Sequence, residues 1–108
     1  MNVKQLSEFT GFAADKLKKH GLFQTPRFAL DVYCLRPGQA QKAHVHSGSD
    51  KVYLVLEGSC LFSIGGETAT YGVNSAVLAP AGVEHGIQNP GPADARLLVM
   101  ITPSPNER

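Results

Sequence analysis

Three histidines are the residues of this sequence best suited to metal chemistry. His44 and His46 lie two positions apart in HVHSGSDK, so on a β-strand their side chains share one face and Val45 lies opposite. A third histidine, His85, lies in a later segment of β character. Neutral imidazoles are the commonest protein ligands for first-row divalent ions. The pattern predicts one divalent transition metal (Fe, Mn, Ni, Zn or Cu) on His44, His46 and His85; the alternative is three histidines hydrogen-bonded in a polar barrel mouth.

Lys51 stands where a carboxylate ligand would be expected. A protonated lysine close to a divalent ion is repelled. It must therefore swing away, pair with a carboxylate such as Asp50 or Glu57, or lose its proton and act as a general base. The first outcome leaves a neutral three-histidine site that attracts an anionic substrate. The remaining alternative is that Lys51 replaced a ligand in a chain that lost its metal.

Asp50, the residue before Lys51, is the alternative fourth ligand. Alternation along KVYLVLE favours Lys51 as the inward residue, with Tyr53 on the same face and Val52 behind. We therefore select Lys51 and Tyr53 as the candidate catalytic residues, the tyrosine orienting substrate through its phenol. The alternative for Tyr53 is a core aromatic with its hydroxyl at the rim.

Composition indicates one small globular domain spanning residues 1–108. Of the 108 residues 43% are hydrophobic and 18% charged, and ten basic residues against nine acidic ones give a net charge of +1. This balance predicts no nucleic-acid partner and no membrane partner. The start of the chain lacks a signal sequence, so a cytoplasmic location is expected. Cys34 and Cys60 fit buried thiols better than a disulfide.

The chain divides into a helical start, a β-rich body and a polar tail. Residues 1–24 include FAADKLKKHG, which predicts a short helix ending near His20 and keeps that histidine out of any metal site. Residues 27–102 contain eight short runs of β type between turn signals, which predicts an all-β barrel or sandwich. Gly65 and Gly66 suit a two-residue hairpin. Residues 103–108 are expected to fray.

The run RLLVMI near the end of the β-rich body is apolar on both faces. KVYLVLE has an apolar back face as well. Such strands need a cover on each side, and a second subunit is the expected outer cover. The sequence therefore predicts a homodimer.

Two stretches of this chain resemble the two conserved motifs of the cupin superfamily. GQAQKAHVHSGSDKVYLVLEG is similar to the first motif and NSAVLAPAGVEHGIQN to the second, with the following positions in register: Gly38, His44, His46, Gly58, Pro80, Gly82, His85 and Asn89. Two positions depart from the motifs. Asn74 replaces a glycine, which it can do because asparagine tolerates left-handed backbone. Lys51 replaces the glutamate ligand.

The resemblance implies a cupin β-barrel or jelly roll with a small-molecule ligand. Three-histidine cupin sites resemble those of thiol and diketone dioxygenases, which implies dioxygenase-like, metal-dependent chemistry on a small oxygenated, anionic molecule. Cupins also include sugar-binding receptors without catalysis and metal-dependent isomerases and lyases of sugar acids. These two alternatives stay open at this point.

Overall fold

The chain folds into a sandwich of two antiparallel β-sheets. The computed structural model describes residues 1–105. Within them the strands are, in chain order, β1 (Lys18–Thr25), β2 (Phe28–Leu35), β3 (Ala40–His44), β4 (Asp50–Glu57), β5 (Ser59–Ile64), β6 (Glu67–Gly72), β7 (Ala76–Ala79), β8 (His85–Gln88) and β9 (Ala95–Thr102). One sheet has the order β1-β2-β9-β4-β7 and the other β3-β8-β5-β6. The predicted all-β jelly-roll fold is confirmed.

Strands β2 to β9 correspond to the eight runs of β type in the sequence, and the turns between them use the expected residues. Gly65 and Gly66 connect β5 to β6 with φ of +56° and +90°. These values belong to the left-handed region, which glycine adopts without steric cost. Asn74 also has a positive φ, of 72°, which explains how it replaces a glycine.

The helix expected to end near His20 is wrong. The start of the chain contains one 3-10 turn, Leu6–Glu8, and residues Lys18–Thr25 form the edge strand β1. The helix formers of this segment are overridden because its backbone hydrogen bonds are made along β2. His20 takes no part in a metal site, since its Nε2 lies 2.8 Å from the carbonyl oxygen of Gly11.

The core lies between the inner faces of the two sheets. Tyr53 and Val55 from β4 meet Phe62 from β5 and Leu97 from β9, all of them buried. Both cysteines are free and buried, as predicted. Burial raises the pKa of Cys60 to about 12, so its thiol stays protonated and acts as an apolar side chain.

The outer face of the five-stranded sheet is partly covered by the chain's own first residues. Phe9 and Phe12 pack on Val32 and Cys34 of β2. Arg96 of β9 fixes this segment through Nη1, which donates to the carbonyl oxygens of Leu6 (3.0 Å) and Phe9 (3.1 Å). The outer cover near Arg96 is therefore intramolecular.

Glu57 does not share the inward face with Lys51. A register shift between Val55 and Glu57 interrupts the alternation of β4. Glu57 consequently reaches the outer face, where its Oε1 accepts a hydrogen bond of 2.9 Å from Arg96 Nε. Glu57 thus forms an ion pair with Arg96 and not with Lys51, which was one of the possibilities expected from the sequence.

The residues after β9 are packed against the sandwich and do not fray where the structure describes them. Ser104 is fully buried, its Oγ accepts from Gln24 Nε2 at 3.0 Å, and its backbone N–H donates to Pro26. The remaining tail, residues 106–108, lies outside the described residues. Across residues 1–105 no helix has the length and apolar character that a membrane crossing requires.

Replacing Arg96 with alanine should lower the free energy of unfolding by about 2–3 kcal/mol, because it removes a charged donor from three acceptors. Arg27→Ala is the matched control. The side chain of Arg27 is exposed and makes no ion pair with the described residues, so its loss should cost less than about 0.5 kcal/mol. Urea unfolding measures both values, and equal losses would contradict the proposed role of Arg96.

Candidate metal centre

The three predicted histidines converge at one end of the sandwich. His44 ends β3 and pairs with His85 of β8 in the same ladder. His46 follows two residues later, and its carbonyl oxygen accepts from the N–H of Gly82 at 2.9 Å, which joins the two histidine-bearing segments. Val45 is 53% exposed, so it lies on the opposite face as predicted. One ring nitrogen from each histidine lies within 4.8 Å of the other two.

The hydrogen bonds of His44 and His85 to backbone carbonyls leave their Nε2 atoms unprotonated. His44 Nε2 lies within hydrogen-bond distance of His46 Nε2, a contact that a bound ion would replace. His44 Nδ1 is 2.8 Å from the carbonyl oxygen of Lys42, and His85 Nδ1 is 3.0 Å from that of Val83. A carbonyl only accepts, so in the neutral rings Nδ1 carries the proton. Backbone carbonyls are typical partners for the second nitrogen of metal-bound histidines.

The Nε2 atoms fit a shared divalent ion. His44 Nε2 and His46 Nε2 are 3.0 Å apart, close to the separation of about 3 Å that two ligands at right angles have when each metal–nitrogen bond is about 2.1 Å. His85 Nε2 is buried and has no hydrogen-bond partner among the described residues. Burial lowers the pKa of His85, with the charge of Lys51 contributing and the Val83 carbonyl opposing it. The donor set therefore suits a metal.

Gly86 allows strands β3 and β8 to approach closely beside these histidines. A Cβ atom at Gly86 would lie 2.8 Å from the carbonyl oxygen of Gln41 and 2.9 Å from the nitrogen of Ala43. The β3–β8 ladder shifts register between Gln41 and His44 at the same place. The bulged backbone of β3 thus lies directly against the glycine.

Lys51 is the inward residue and Asp50 the outward one. Lys51 has 0% exposure, and its Nζ donates to Gln41 Oε1 at 2.9 Å. Asp50 is exposed and its Oδ1 accepts from the N–H of Ala81 at 2.8 Å. The alternation of β4 therefore predicts the orientation of both side chains.

Two aromatic rings complete the surroundings of Lys51. Its Nζ lies 5.2 Å from the centroid of Tyr33 and 5.3 Å from that of Tyr53. Burial lowers the pKa of Lys51 to about 8; the charge of Lys19 adds to this and that of Asp31 opposes it. Close to neutral pH, Lys51 can therefore hold a proton or release one.

Tyr53 lies beneath Lys51 in the closed core. It is fully buried against Phe62, and its hydroxyl has no hydrogen-bond partner among the described residues. It does not line the open cavity described below. Burial raises the pKa of Tyr53, so the phenol keeps its proton. Its substrate-orienting role stays a prediction.

A cavity of about 640 Å³ opens beside the histidines. His44, His46 and Lys51 line it, together with polar side chains that the sequence did not single out: Lys19, Asp31, Tyr33 and Gln41. Asp31 and Tyr33 could have been found, because alternation along β2 places both on the inner face. Nothing indicated Lys19, which lay in the expected helix.

The cavity wall is a connected polar network. Gln41 accepts from Lys51 and is also hydrogen-bonded to the hydroxyl of Tyr33. Burial raises the pKa of Asp31, although Lys19 and Lys51 both oppose the increase. The arrangement can bind an oxygenated anion next to a metal ion.

Comparison with known proteins agrees with this geometry. The model of the cupin domain matches residues 31–101. The tetracenomycin polyketide synthase protein TcmJ of Streptomyces glaucescens is 33% identical over 69 residues, which are 64% of this chain and 46% of that protein. Mannose-1-phosphate guanylyltransferase of Escherichia coli is 29% identical over 68 residues, 63% of this chain and 14% of the enzyme. The chain thus spans less than half the length of these curated relatives.

Solved structures give a longer match. The protein TT1209 from Thermus thermophilus superposes with a TM-score of 0.94 and 44% identity, covering 97% of this chain and all of that one. A predicted oxalate decarboxylase from Thermotoga maritima has a TM-score of 0.82 at 21% identity, covering 93% of this chain and 97% of its own, a likeness of fold. Since the family model covers more than half of the 108 residues, the chain belongs to the cupin domain family.

Proposed function

We propose that this cupin holds one divalent transition metal on His44, His46 and His85 and uses it to transform a small oxygenated anion. The observation that carries this proposal is the fully buried lysine beside the donor set. No carboxylate among the described residues makes an ion pair with Lys51. A buried ammonium with a neutral amide as partner retains unused donors and an unbalanced charge, and a bound anion satisfies both.

The electrostatic balance of the site favours the same class of ligand. Three neutral imidazoles leave the full charge of a divalent ion uncompensated. Lys19 and Lys51 add positive charge to the cavity, and Asp31 is the acidic residue among those that line it. An anion entering this cavity is therefore attracted by the metal and by the lysines together.

Lys51 is the residue that we assign to proton transfer. Its Nζ holds a proton that it can donate to an oxygen of the substrate, and its lowered pKa allows it to take one back near neutral pH. Gln41 orients the ammonium through its Oε1, and the rings of Tyr33 and Tyr53 restrict its movement. Iron(II), when bound, would bring substrate and dioxygen together, which is the dioxygenase-like form of the proposal.

A metal-dependent isomerase or lyase of a sugar acid is the second candidate. The observation that favours it is the same lowered pKa of Lys51, because removing a proton next to a carbonyl group needs a base and no oxygen. A receptor without catalysis is the remaining alternative.

Oxygen uptake separates these candidates. Iron-loaded protein should consume dioxygen with at least one member of a panel of thiols, diketones and hydroxy acids, and Lys51→Met should slow that reaction. Turnover of a sugar acid without oxygen uptake would favour the isomerase or lyase. Tight binding without any turnover would identify a receptor.

Purified protein should bind one divalent metal per chain, and His46→Ala should abolish this binding because it removes one of three convergent donors. His20→Ala is the matched control, since His20 contacts Gly11 and does not line the cavity. Elemental analysis after dialysis against Zn²⁺ gives the stoichiometry. Equal metal content in wild type and His46→Ala would refute the assigned site.

Replacing Lys51 with glutamate should tighten metal binding by about tenfold or more, since it exchanges a repelled cation for an anionic ligand. The affinity for anions such as oxalate should fall in the same variant. Lys51→Met separates loss of the charge from gain of the ligand. Titration with Zn²⁺ and with oxalate measures both affinities.

Asp50→Ala tests the alternative ligand. Its carboxylate is bonded to the backbone of Ala81, so metal affinity should not change. If Asp50→Ala weakens metal binding while Lys51→Glu has no effect, Asp50 is the fourth ligand and the role given to Lys51 is wrong.

We also propose a homodimer that covers the remaining outer face of the five-stranded sheet. Leu78, Val52, Met100 and Leu30 form one apolar row across neighbouring strands, and Leu78 is 55% exposed. Light scattering at micromolar concentration should give about twice the chain mass of 11.5 kDa. Leu78→Lys should shift the protein toward the monomer. A monomeric wild type would contradict the proposed dimer.

A further inference from the structure

A second opening of about 530 Å³, here called the lysine slot, adjoins the metal cavity. Four lysines line it: Lys16, Lys18, Lys19 and Lys42. The other side chains along it are uncharged, and no acidic residue is among them. The slot therefore concentrates four of the ten basic residues of a chain whose net charge is only +1.

The slot exists because the sandwich is open along one side. β1 is an edge of the five-stranded sheet and β3 is an edge of the four-stranded sheet. Leu17, which precedes β1, packs against the core between the sheets, while its neighbours Lys16 and Lys18 stay exposed. The alternation around Leu17 thus places both lysines on the solvent side of this opening.

The slot shares three lining residues with the metal cavity. Lys19, Gln41 and Lys42 line both spaces. Lys19 Nζ and Lys51 Nζ each lie 5.2 Å from the centroid of Tyr33, so the same ring connects a lysine of the slot to the lysine beside the histidines. The slot and the cavity therefore lie on either side of the same three residues, close enough for one small ligand to be tested against both.

Like charges arranged along a cleft repel one another and are costly unless an anion or solvent compensates them. Lysines that bound nothing could be spread over the surface, as Lys4 is. The cleft walls also have lower polarizability than water, which focuses the positive potential inward. The charge of the slot therefore fits an anionic group arriving at the cavity from this side.

We propose that the lysine slot binds a second anionic group, a phosphate or a carboxylate, of the same small substrate whose oxygenated end lies beside His44, His46 and Lys51. The inference rests on the proposed function and narrows its substrate class to acids with two separated anionic groups. Lys16 and Lys18 bind the distant group, and Lys19 and Lys42 lie between the two ends.

The test compares matched ligands on Zn²⁺-loaded protein by isothermal titration calorimetry. 3-Phosphoglycerate is paired with glycerate, and 2-hydroxyglutarate with 2-hydroxyvalerate, so each pair differs in the second anionic group. The member with two anionic groups should bind about tenfold more tightly in at least one pair. The pair with the larger ratio tells whether the slot prefers phosphate or carboxylate.

The variant Lys16→Gln/Lys18→Gln assigns that preference to the slot. This variant should lower the affinity for the ligand with two anionic groups about fivefold and leave the affinity for the ligand with one unchanged. The control Lys4→Gln/Arg27→Gln removes the same charge from exposed positions outside both openings and should not alter the ratio. Thermal melting checks that both variants fold.

Three results would overturn the inference. The first is equal affinity for the two members of both pairs, and the second is that no ligand binds. The third is that the slot variant loses as much affinity for the ligand with one anionic group as for the ligand with two. Metal stoichiometry is measured separately, so a wrong assignment of the slot can be distinguished from a wrong assignment of the metal site. In metal-free protein, the dependence of 3-phosphoglycerate binding on Lys16 and Lys18 should persist at lower affinity.

Discussion

The alternation of side chains along β4 divides the interior of the sandwich into a polar and an apolar half. From Lys51 through Tyr53 to Val55, three successive inward positions change from an ammonium to a phenol to an isopropyl group. Sheets pack densely only around apolar groups, because an interior charge needs polar partners or solvent. Val55 accordingly belongs to the apolar core, whereas Lys51 lines the cavity beside the histidines.

A lysine at this position sets the charge of the proposed site. A glutamate would give the metal an anionic ligand and reduce the attraction for an anionic substrate. The ammonium, held by the neutral oxygen of Gln41 and by two aromatic rings, keeps the cavity positive. In the proposed site, metal affinity and substrate affinity would thus be set in opposite directions by one residue.

The sequence predicted those parts of the fold that depend on local alternation and turn chemistry. Eight strands and the inward lysine follow from side chains at alternate positions and from glycine at left-handed turns, whereas His85 was expected beside His44 and His46 because the chain resembles both cupin motifs. The helix near His20 was wrong because local propensity was weak against pairing with β2. The reversal of Glu57 depends on one bulge, and no pattern in KVYLVLE marks it. Lys19 and Gln41 line the same cavity as Lys51 because the edge strands β1 and β3, which belong to different sheets, both border that cavity. Such proximity between distant parts of the chain cannot be predicted from local patterns.

The close approach at Gly86 means that the metal centre has a determinant that touches no ligand. Since the backbone of β3 lies where a side chain of residue 86 would begin, even a methyl group there would force β3 away from β8. His44 belongs to β3 and His85 to β8, so the two nitrogens would separate without any change in either histidine. If the proposed site holds a metal, a substitution of this glycine would weaken metal binding by changing the spacing of two strands, while both ligand side chains stay intact.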